Sequence, residues 1–181
     1  MRKIGVIFGG MSTEHEVSIS SGTSIISNLD KQKYEILPIY ISKSGEWYKY
    51  TKPVNDIIPL HVGDEITELE KIENEFECLK SLDIAFPVLH GLYGEDGTIQ
   101  GLLELLKIKY VGCKVLSSSI CMDKVYAKIV FDKAQIPQAD YAYVKAEKGK
   151  YTYVHKNFDE ETLDLDQICK KIESKLGLPV F

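Results

Sequence analysis

With 181 residues, 44% of them hydrophobic and 27% charged, the chain is too apolar for a disordered segment and long enough to bury its own core. Its formal net charge of -5 argues against a general nucleic-acid binder, which carries a basic excess to match phosphate. No stretch approaches the roughly 20 apolar residues of a membrane span, and four scattered cysteines without metal-ligand spacing predict a cytoplasmic protein with free thiols.

Apolar runs and helical patterns alternate from the start of the chain. Residues 3–8 predict a buried strand that ends in a turn at Gly9-Gly10, and a helix is predicted over residues 16–28. Residues 34–41 predict a second strand, in which Pro38 indicates an edge or an irregularity. The helix face expected to pack on the sheet comprises Val17, Ser21, Gly22, Ile25, Ile26 and Leu29.

The same patterns predict further elements up to residue 134. They are a hairpin or strand extension around Ser44-Gly45, a loop over residues 51–63, a partly helical segment over 64–82, a strand over 83–89, a helix over 98–106, a short strand at 110–111 and two short helices within 117–134. This order of elements predicts an α/β fold: an open, mostly parallel sheet with helices on both faces, over residues 1–115.

A second domain is predicted over residues 116–181, and the composition changes after residue 134. Residues 141–153 alternate aromatic and charged side chains as a hairpin does, and residues 159–176 have the apolar stripe of a helix. Gly177 is a suitable cap for the end of this helix, and the apolar residues 179–181 after it read as the opening of a further strand. We therefore expect the chain to be the amino-terminal piece of a longer protein.

Two loops are expected at the carboxyl ends of the parallel strands, where open α/β sheets bind ligands. In the loop at residues 9–18, Thr13 and Glu16 match a capping box, which predicts Thr13 as the helix N-cap and gives Glu16 a structural role. Glu14 then stands at the first helical position, either as a complement to the helix dipole or as a charge that binds a substrate ammonium group. His15 is interpreted as a solvated neighbour.

The second loop covers residues 90–98. His90 closes the strand, either as a structural group or as part of the site, and Asp96 is interpreted as an N-cap rather than as half of a metal pair with Glu95. Further along, Lys124 is either a surface lysine or a phosphate contact. The chain has no Walker A loop, nucleophile elbow, dinucleotide fingerprint or zinc spacing. The residues alone thus indicate an α/β domain with a small-molecule crevice.

Three ordered motifs resemble the signatures of D-alanine–D-alanine ligases. They are VIFGGMSTEHEVS at residues 6–18, FPVLHGLYGEDGTIQGLLEL at residues 86–105, and YVG at residues 110–112 with the segment 116–124 that ends in MDK. The resemblance implies an ATP-grasp enzyme, with an amino-terminal α/β domain followed by the start of a central domain. GEWYKY also resembles the D-alanine–D-serine ligases of vancomycin resistance.

The resemblance also implies a reaction and roles for single residues. ATP, with Mg²⁺ or Mn²⁺, would phosphorylate one D-alanine carboxylate, and the amine of a second D-alanine would displace the phosphate. Glu14 would hold the ammonium of the first D-alanine, His90 would lie near its carboxylate in the same pocket, and Lys124 would contact the nucleotide phosphates. The backbone around the substrate would be shaped by Gly9, Gly10, Val17 and Ser18. No metal ligand is assigned in this chain, and a homodimer is implied.

Three functions stay open at this point. The first is a D-alanine–D-alanine ligase for peptidoglycan synthesis, whose piece of 181 residues is expected to be inactive alone. The second is a D-alanine–D-serine ligase, because the residues that select the second substrate are expected beyond this chain. The third is a non-catalytic module that binds an amino acid or dimerises.

Overall fold

The computed structural model describes residues 1–180, which form two compact units, one of residues 1–123 and one that begins at Lys124. In chain order the first unit contains β1 (Arg2–Gly9), α1 (His15–Asn28), β2 (Tyr34–Ile41), β3 (Trp47–Tyr50), a 3-10 turn (Val54–Asp56), β4 (Leu69–Lys71), α2 (Glu75–Lys80), β5 (Ile84–Pro87), α3 (Thr98–Leu105), β6 (Lys109–Tyr110) and α4 (Val115–Met122). The assignment of residues 1–115 and 116–181 to separate domains stays a prediction.

The strands of the first unit form one six-stranded sheet in the order β4-β3-β2-β1-β5-β6. The four strands β2, β1, β5 and β6 are parallel, and β3 and β4 add to β2 in antiparallel fashion. The predicted open, mostly parallel sheet is therefore confirmed. Since parallel strands share a direction, the loops after β1 and β5 leave the same edge of the sheet.

Alternation along β1 divides the core between the two faces of the sheet. Ile7 packs with Leu79 of α2 and Leu103 of α3 on one face. Its neighbour Phe8 packs with Ile26 of α1 on the other face. This period of two residues is what a central strand buried on both sides requires, and it places helices on both faces as predicted.

The buried face of α1 differs from the predicted one. Val17 is 44% exposed, and the residues that face the sheet are His15, Ser18, Ile19, Gly22, Thr23 and Ile26. Ser18 and Thr23 can be buried because their hydroxyls are hydrogen-bonded: that of Ser18 to Val88, and that of Thr23 to Ile19 and to the backbone N–H of Leu60. Because Ser18 and Thr23 are polar, the hydrophobic pattern of the sequence left them out of the predicted buried face of α1.

Two details of the sheet also depend on strand pairing. Pro38 lies in an interior strand, but β3 pairs only with residues 39–41 of β2, so no hydrogen bond to β3 is needed at Pro38. The hairpin around Ser44-Gly45 is confirmed, since β2 and β3 are antiparallel neighbours. β4 lies inside the segment predicted to be partly helical; it is a charged edge strand that forms only by pairing with β3.

The second unit contains α5 (Lys124–Lys133), β7 (Tyr143–Glu147), β8 (Lys150–Val154), β9 (Glu160–Leu163) and α6 (Leu165–Leu176). The antiparallel sheet β7-β8-β9 confirms the predicted hairpin and adds a strand where the last helix was expected to begin. That helix begins later because Asp164 and Gln167 form a capping box. Of the strand expected at residues 179–181, Pro179 and Val180 are not in a strand and Phe181 lies outside the described residues.

Within the described residues, no helix combines the length and the apolar character that a membrane span requires. The longest helices, α1 and α6, carry charged side chains such as Glu16 and Lys171.

Candidate functional site

The loops that follow β1 and β5 meet at the carboxyl edge of the sheet. The Ser12 hydroxyl donates a hydrogen bond of 2.7 Å to the carbonyl of His90 and accepts one of 3.1 Å from the backbone N–H of Glu14. One side chain thereby joins the two loops that the sequence singles out. The edge is the place where ligands of open α/β sheets bind, which makes this junction the candidate site.

Glu14 precedes the first residue of α1 and forms the N-cap position through its backbone alone. Its side chain is exposed, and Oε2 lies 2.6 Å from the position that a Cβ atom on Gly91 would take. Gly91 has a φ of +69°, a conformation that favours glycine, and the missing side chain leaves the carboxylate its space. Glu14 is thus a negative charge at a helix N-terminus, against the loop of His90.

The predicted capping box is wrong. The N-cap is Glu14 rather than Thr13, and the cap residue makes no side-chain hydrogen bond to the helix. Glu16 forms an ion pair of 3.1 Å with Lys43 instead of bonding back to the backbone. The side chain that binds the backbone at this helix start is that of Ser12, whose hydroxyl accepts the N–H of Glu14.

His90 is held between α1 and its own loop. Nε2 lies 3.1 Å from the hydroxyl oxygen of Ser21, and Nδ1 lies 3.8 Å from Oε1 of Glu95. The other oxygen of Glu95 accepts the backbone N–H of Gly91 at 2.9 Å. The ring is partly exposed, so it can meet a ligand while its neighbours fix its direction.

The N-cap of α3 is Gly97, so the prediction of Asp96 as the N-cap is wrong, and Asp96 binds backbone groups on both sides of it. Its carboxylate accepts the N–H groups of Thr98 and Tyr93, both at 2.9 Å. Burial acts to raise the pKa of Asp96, but these backbone donors outweigh burial and lower it. Asp96 is therefore an ionised turn residue, and within residues 1–180 no three His, Cys, Asp or Glu side chains gather as metal ligands would.

The turn at Gly9-Gly10 is braced from several sides. The Ser18 hydroxyl accepts the N–H of Gly9 at 2.8 Å and donates to the carbonyl of Val88 at 2.7 Å, which ties the ends of β1 and β5 together. The N–H of Gly10 donates to the carbonyl of Ile41 at the end of β2. Both glycines have positive φ, which a side chain would strain. The Ser18 hydroxyl itself is buried in this brace.

The interpretation of His15 as a solvated neighbour is wrong. The residue is only 4% exposed. Its Nδ1 lies 2.5 Å from the carbonyl oxygen of Gly10, and its Nε2 lies 3.2 Å from the hydroxyl of Tyr40. The sequence offered only one indication of this role, a histidine at the start of a helix. That indication could not identify Tyr40 of β2 as the hydrogen-bond partner.

Glu14 and His90 were expected to share one pocket. His90 lines a cavity of about 180 Å³ together with Gly9, Gly10 and mostly apolar side chains that include Met11, Trp47, Leu89 and Leu102. Glu14 does not line this cavity, and it meets the His90 loop at Gly91 instead. The two residues lie at the same edge of the sheet, joined through Ser12 rather than through a common cavity wall.

Two further predicted site residues, Val17 and Lys124, are exposed. Val17 is on the exposed side of α1. Lys124 is the first residue of α5 and is exposed in the second compact unit.

We expect Ser18→Ala to lower the free energy of unfolding by about 2 kcal/mol, because the change leaves the Gly9 N–H and the Val88 carbonyl buried without a partner. Urea denaturation of the chain, followed by circular dichroism, measures this loss. Ser20→Ala, on a partly exposed turn of the same helix, is the matched control and should change stability by less than about 0.5 kcal/mol. Equal effects of the two substitutions would show that the brace contributes nothing.

The fold is an open α/β sheet whose candidate site is the junction at its carboxyl edge. Comparison with known proteins makes the class specific: the family model described as D-ala D-ala ligase N-terminus matches residues 3–113. Among curated relatives, the D-alanine–D-alanine ligase of Caldicellulosiruptor bescii is 45% identical over 99% of this chain and 49% of its own length. That of Clostridium acetobutylicum is 47% identical, again over 99% of this chain and 49% of its own length.

Solved structures agree with the family model. The VanG D-Ala:D-Ser ligase from Enterococcus faecalis superposes with a TM-score of 0.69 at 34% identity, over 97% of this chain and 49% of the other. The D-alanine–D-alanine ligase from Bacillus anthracis complexed with ATP superposes with a TM-score of 0.58 at 33% identity, over 96% and 54%. The chain belongs to the D-alanine–D-alanine ligase family. It spans about half the length of the curated relatives it matches.

Proposed function

We propose that this chain supplies the first amino-acid site of an ATP-dependent ligase that makes D-alanyl-D-alanine for peptidoglycan. The observation that carries the proposal is the junction at the sheet edge, where the Glu14 carboxylate lies against Gly91 and the same loop presents His90. The ligase names of relatives that match 99% of this chain support it.

The charges at the junction suit a zwitterionic amino acid. Among residues 1–180 the Glu14 carboxylate has no hydrogen-bond or ion-pair partner, whereas the Glu16 carboxylate pairs with Lys43. Glu14 is therefore available for a charge-assisted hydrogen bond to the substrate ammonium group. His90, with its ring directed by Ser21, would donate to the substrate carboxylate. Gly9, Gly10, Val17 and Ser18 would shape the surrounding backbone.

The nucleotide would be held mainly by parts of the protein that follow this chain. ATP use is supported by the relative from Bacillus anthracis that was solved with ATP. When bound, ATP supplies the phosphoryl group that turns the D-alanine carboxylate into a good electrophile, and Mg²⁺ or Mn²⁺ would neutralise its phosphates. Lys124, exposed at the start of α5, would contact those phosphates.

The test is ADP release. We expect none above background from the chain of 181 residues alone, and D-alanine-dependent release from the protein extended through its reading frame to the length of the curated relatives. Removal of divalent metal with a chelator should abolish that release. An extended protein that folds, binds ATP and releases no ADP with D-alanine would contradict the proposal and favour a non-catalytic amino-acid-binding or dimerisation module.

A D-alanine–D-serine ligase is the second candidate. It is favoured by the likeness to VanG, whose structure superposes with a TM-score of 0.69. Mass spectrometry of the dipeptides formed from an equal mixture of D-alanine and D-serine separates the two, and we expect D-alanyl-D-alanine as the main product. The enzyme is proposed to be cytoplasmic, since it uses ATP. It is also proposed to act as a homodimer, as the family resemblance implies, and sedimentation of the extended protein tests the dimer.

A further inference from the structure

His15 follows Glu14 directly and has its ring enclosed in the fold. The residue is 4% exposed, and its ring packs edge to face on that of Tyr40 with a centroid distance of 5.6 Å and an interplanar angle of 73°. A buried imidazole is costly unless both nitrogens find hydrogen-bond partners. Both do, in the carbonyl of Gly10 and the hydroxyl of Tyr40.

One of the two partners fixes the direction of its hydrogen bond. The Gly10 carbonyl can only accept, so Nδ1 of His15, 2.5 Å away, carries a proton. Burial, and to a smaller extent the nearby Tyr48, raises the pKa of Tyr40, so the phenol keeps its proton near neutral pH. In the tautomer whose only ring proton is on Nδ1, Nε2 of His15 accepts from this hydroxyl, 3.2 Å away. The hydrogen bonds then run in one direction, from the Tyr40 hydroxyl to His15 and from His15 to the Gly10 carbonyl.

The two hydrogen bonds of His15 link three parts of the candidate site. Tyr40 belongs to β2, and Gly10 belongs to the turn after β1, where its N–H also bonds to Ile41 of β2. His15 itself forms the first turn of α1, next to the carboxylate of Glu14. The imidazole thus connects the start of α1 to the glycine turn and to β2.

We infer that His15 is a positioning residue for the ligase reaction, an inference that rests on the proposed function: by holding the Gly10 carbonyl and Tyr40, it keeps the Glu14 carboxylate beside Gly91, ready for the ammonium group of the first D-alanine. His15 does not touch the substrate. Its effect is therefore confined to the affinity of the first amino-acid site, and the ATP site is independent of it.

The test compares two amide variants in the extended protein. His15→Asn places an amide nitrogen where Nδ1 lies and can keep the bond to Gly10, whereas His15→Gln places it near Nε2, on the side of Tyr40. We expect His15→Asn, which loses only the bond to Tyr40, to raise the KM for D-alanine at the first site about threefold, and His15→Gln to raise it about tenfold. The KM for ATP and kcat should stay within about threefold in both.

Each result decides the inference. A residue that only stabilises the fold would lower the melting temperature in both variants and leave every KM unchanged, which would overturn it. Equal rises in KM for D-alanine in both variants, or an equal rise for ATP, would also overturn it. If neither variant folds, Tyr40→Phe keeps the ring and removes the hydroxyl; it should raise the same KM about threefold, and no rise would contradict the inference.

The wild-type protein separates this inference from the function on which it rests. D-alanine-dependent ADP release by the wild type, with an unchanged KM in His15→Gln, rejects the positioning role alone. A wild type without that release rejects the ligase proposal and the positioning role together.

Discussion

Glu14→Gln in the extended protein is expected to lower kcat/KM for D-alanine about 100-fold, equivalent to ~2.7 kcal/mol. The substitution keeps the size of the side chain beside Gly91 and removes its charge. A substrate ammonium group would then meet a neutral amide at a helix N-terminus, where the helix dipole repels a cation. Initial rates of ADP release at varied D-alanine concentration measure the loss.

Glu16→Gln is the matched control for this prediction. It removes an equal charge two residues along the same helix start, where the carboxylate pairs with Lys43 on the surface. Exposed ion pairs contribute little, so kcat/KM should change by less than about twofold. If both substitutions reduce kcat/KM alike, the general negative potential of this surface accounts for the effect and Glu14 has no specific role.

Gly22→Ala is expected to lower the free energy of unfolding by about 3 kcal/mol, since overpacking at a rigid contact forces the backbone to move. An added Cβ would lie 2.5 Å from Cβ of Phe8, an atom fixed to the central strand β1. The helix must therefore move away from the sheet. Because α1 carries Ser18 and Ser21, the move also disturbs the brace at Gly9 and the ring of His90. Urea denaturation of the chain measures the stability.

Gly101→Ala is the opposite case within a helix. A Cβ at Gly101 in α3 would meet no atom within 4 Å, so alanine should raise stability by about 0.5–1 kcal/mol through its better helix propensity. Stabilisation by both substitutions would show that the contact between α1 and β1 yields easily, and would reject the tight packing inferred from Gly22.

The sequence by itself determined the elements whose signal is local. An apolar run flanked by turn residues predicted the second strand over residues 34–41, where the structure has β2 as Tyr34–Ile41. Helical spacing predicted α3, and the glycine turn after β1 was predicted from Gly9-Gly10. These patterns succeed because periodicity and turn chemistry act between residues close in the chain.

Only the tertiary structure decided which residues of the site are joined. Ser12 bonds to the carbonyl of His90, 78 positions away, and His15 meets Tyr40, 25 positions away. Local spacing contains no information about such partners. The sequence could therefore indicate Glu14 and His90 as candidate site residues, but the predictions for His15 and for the buried face of α1 were wrong. A polar side chain becomes part of a core when a distant strand supplies its hydrogen-bond partner, and the folding of the sheet brings that strand to it.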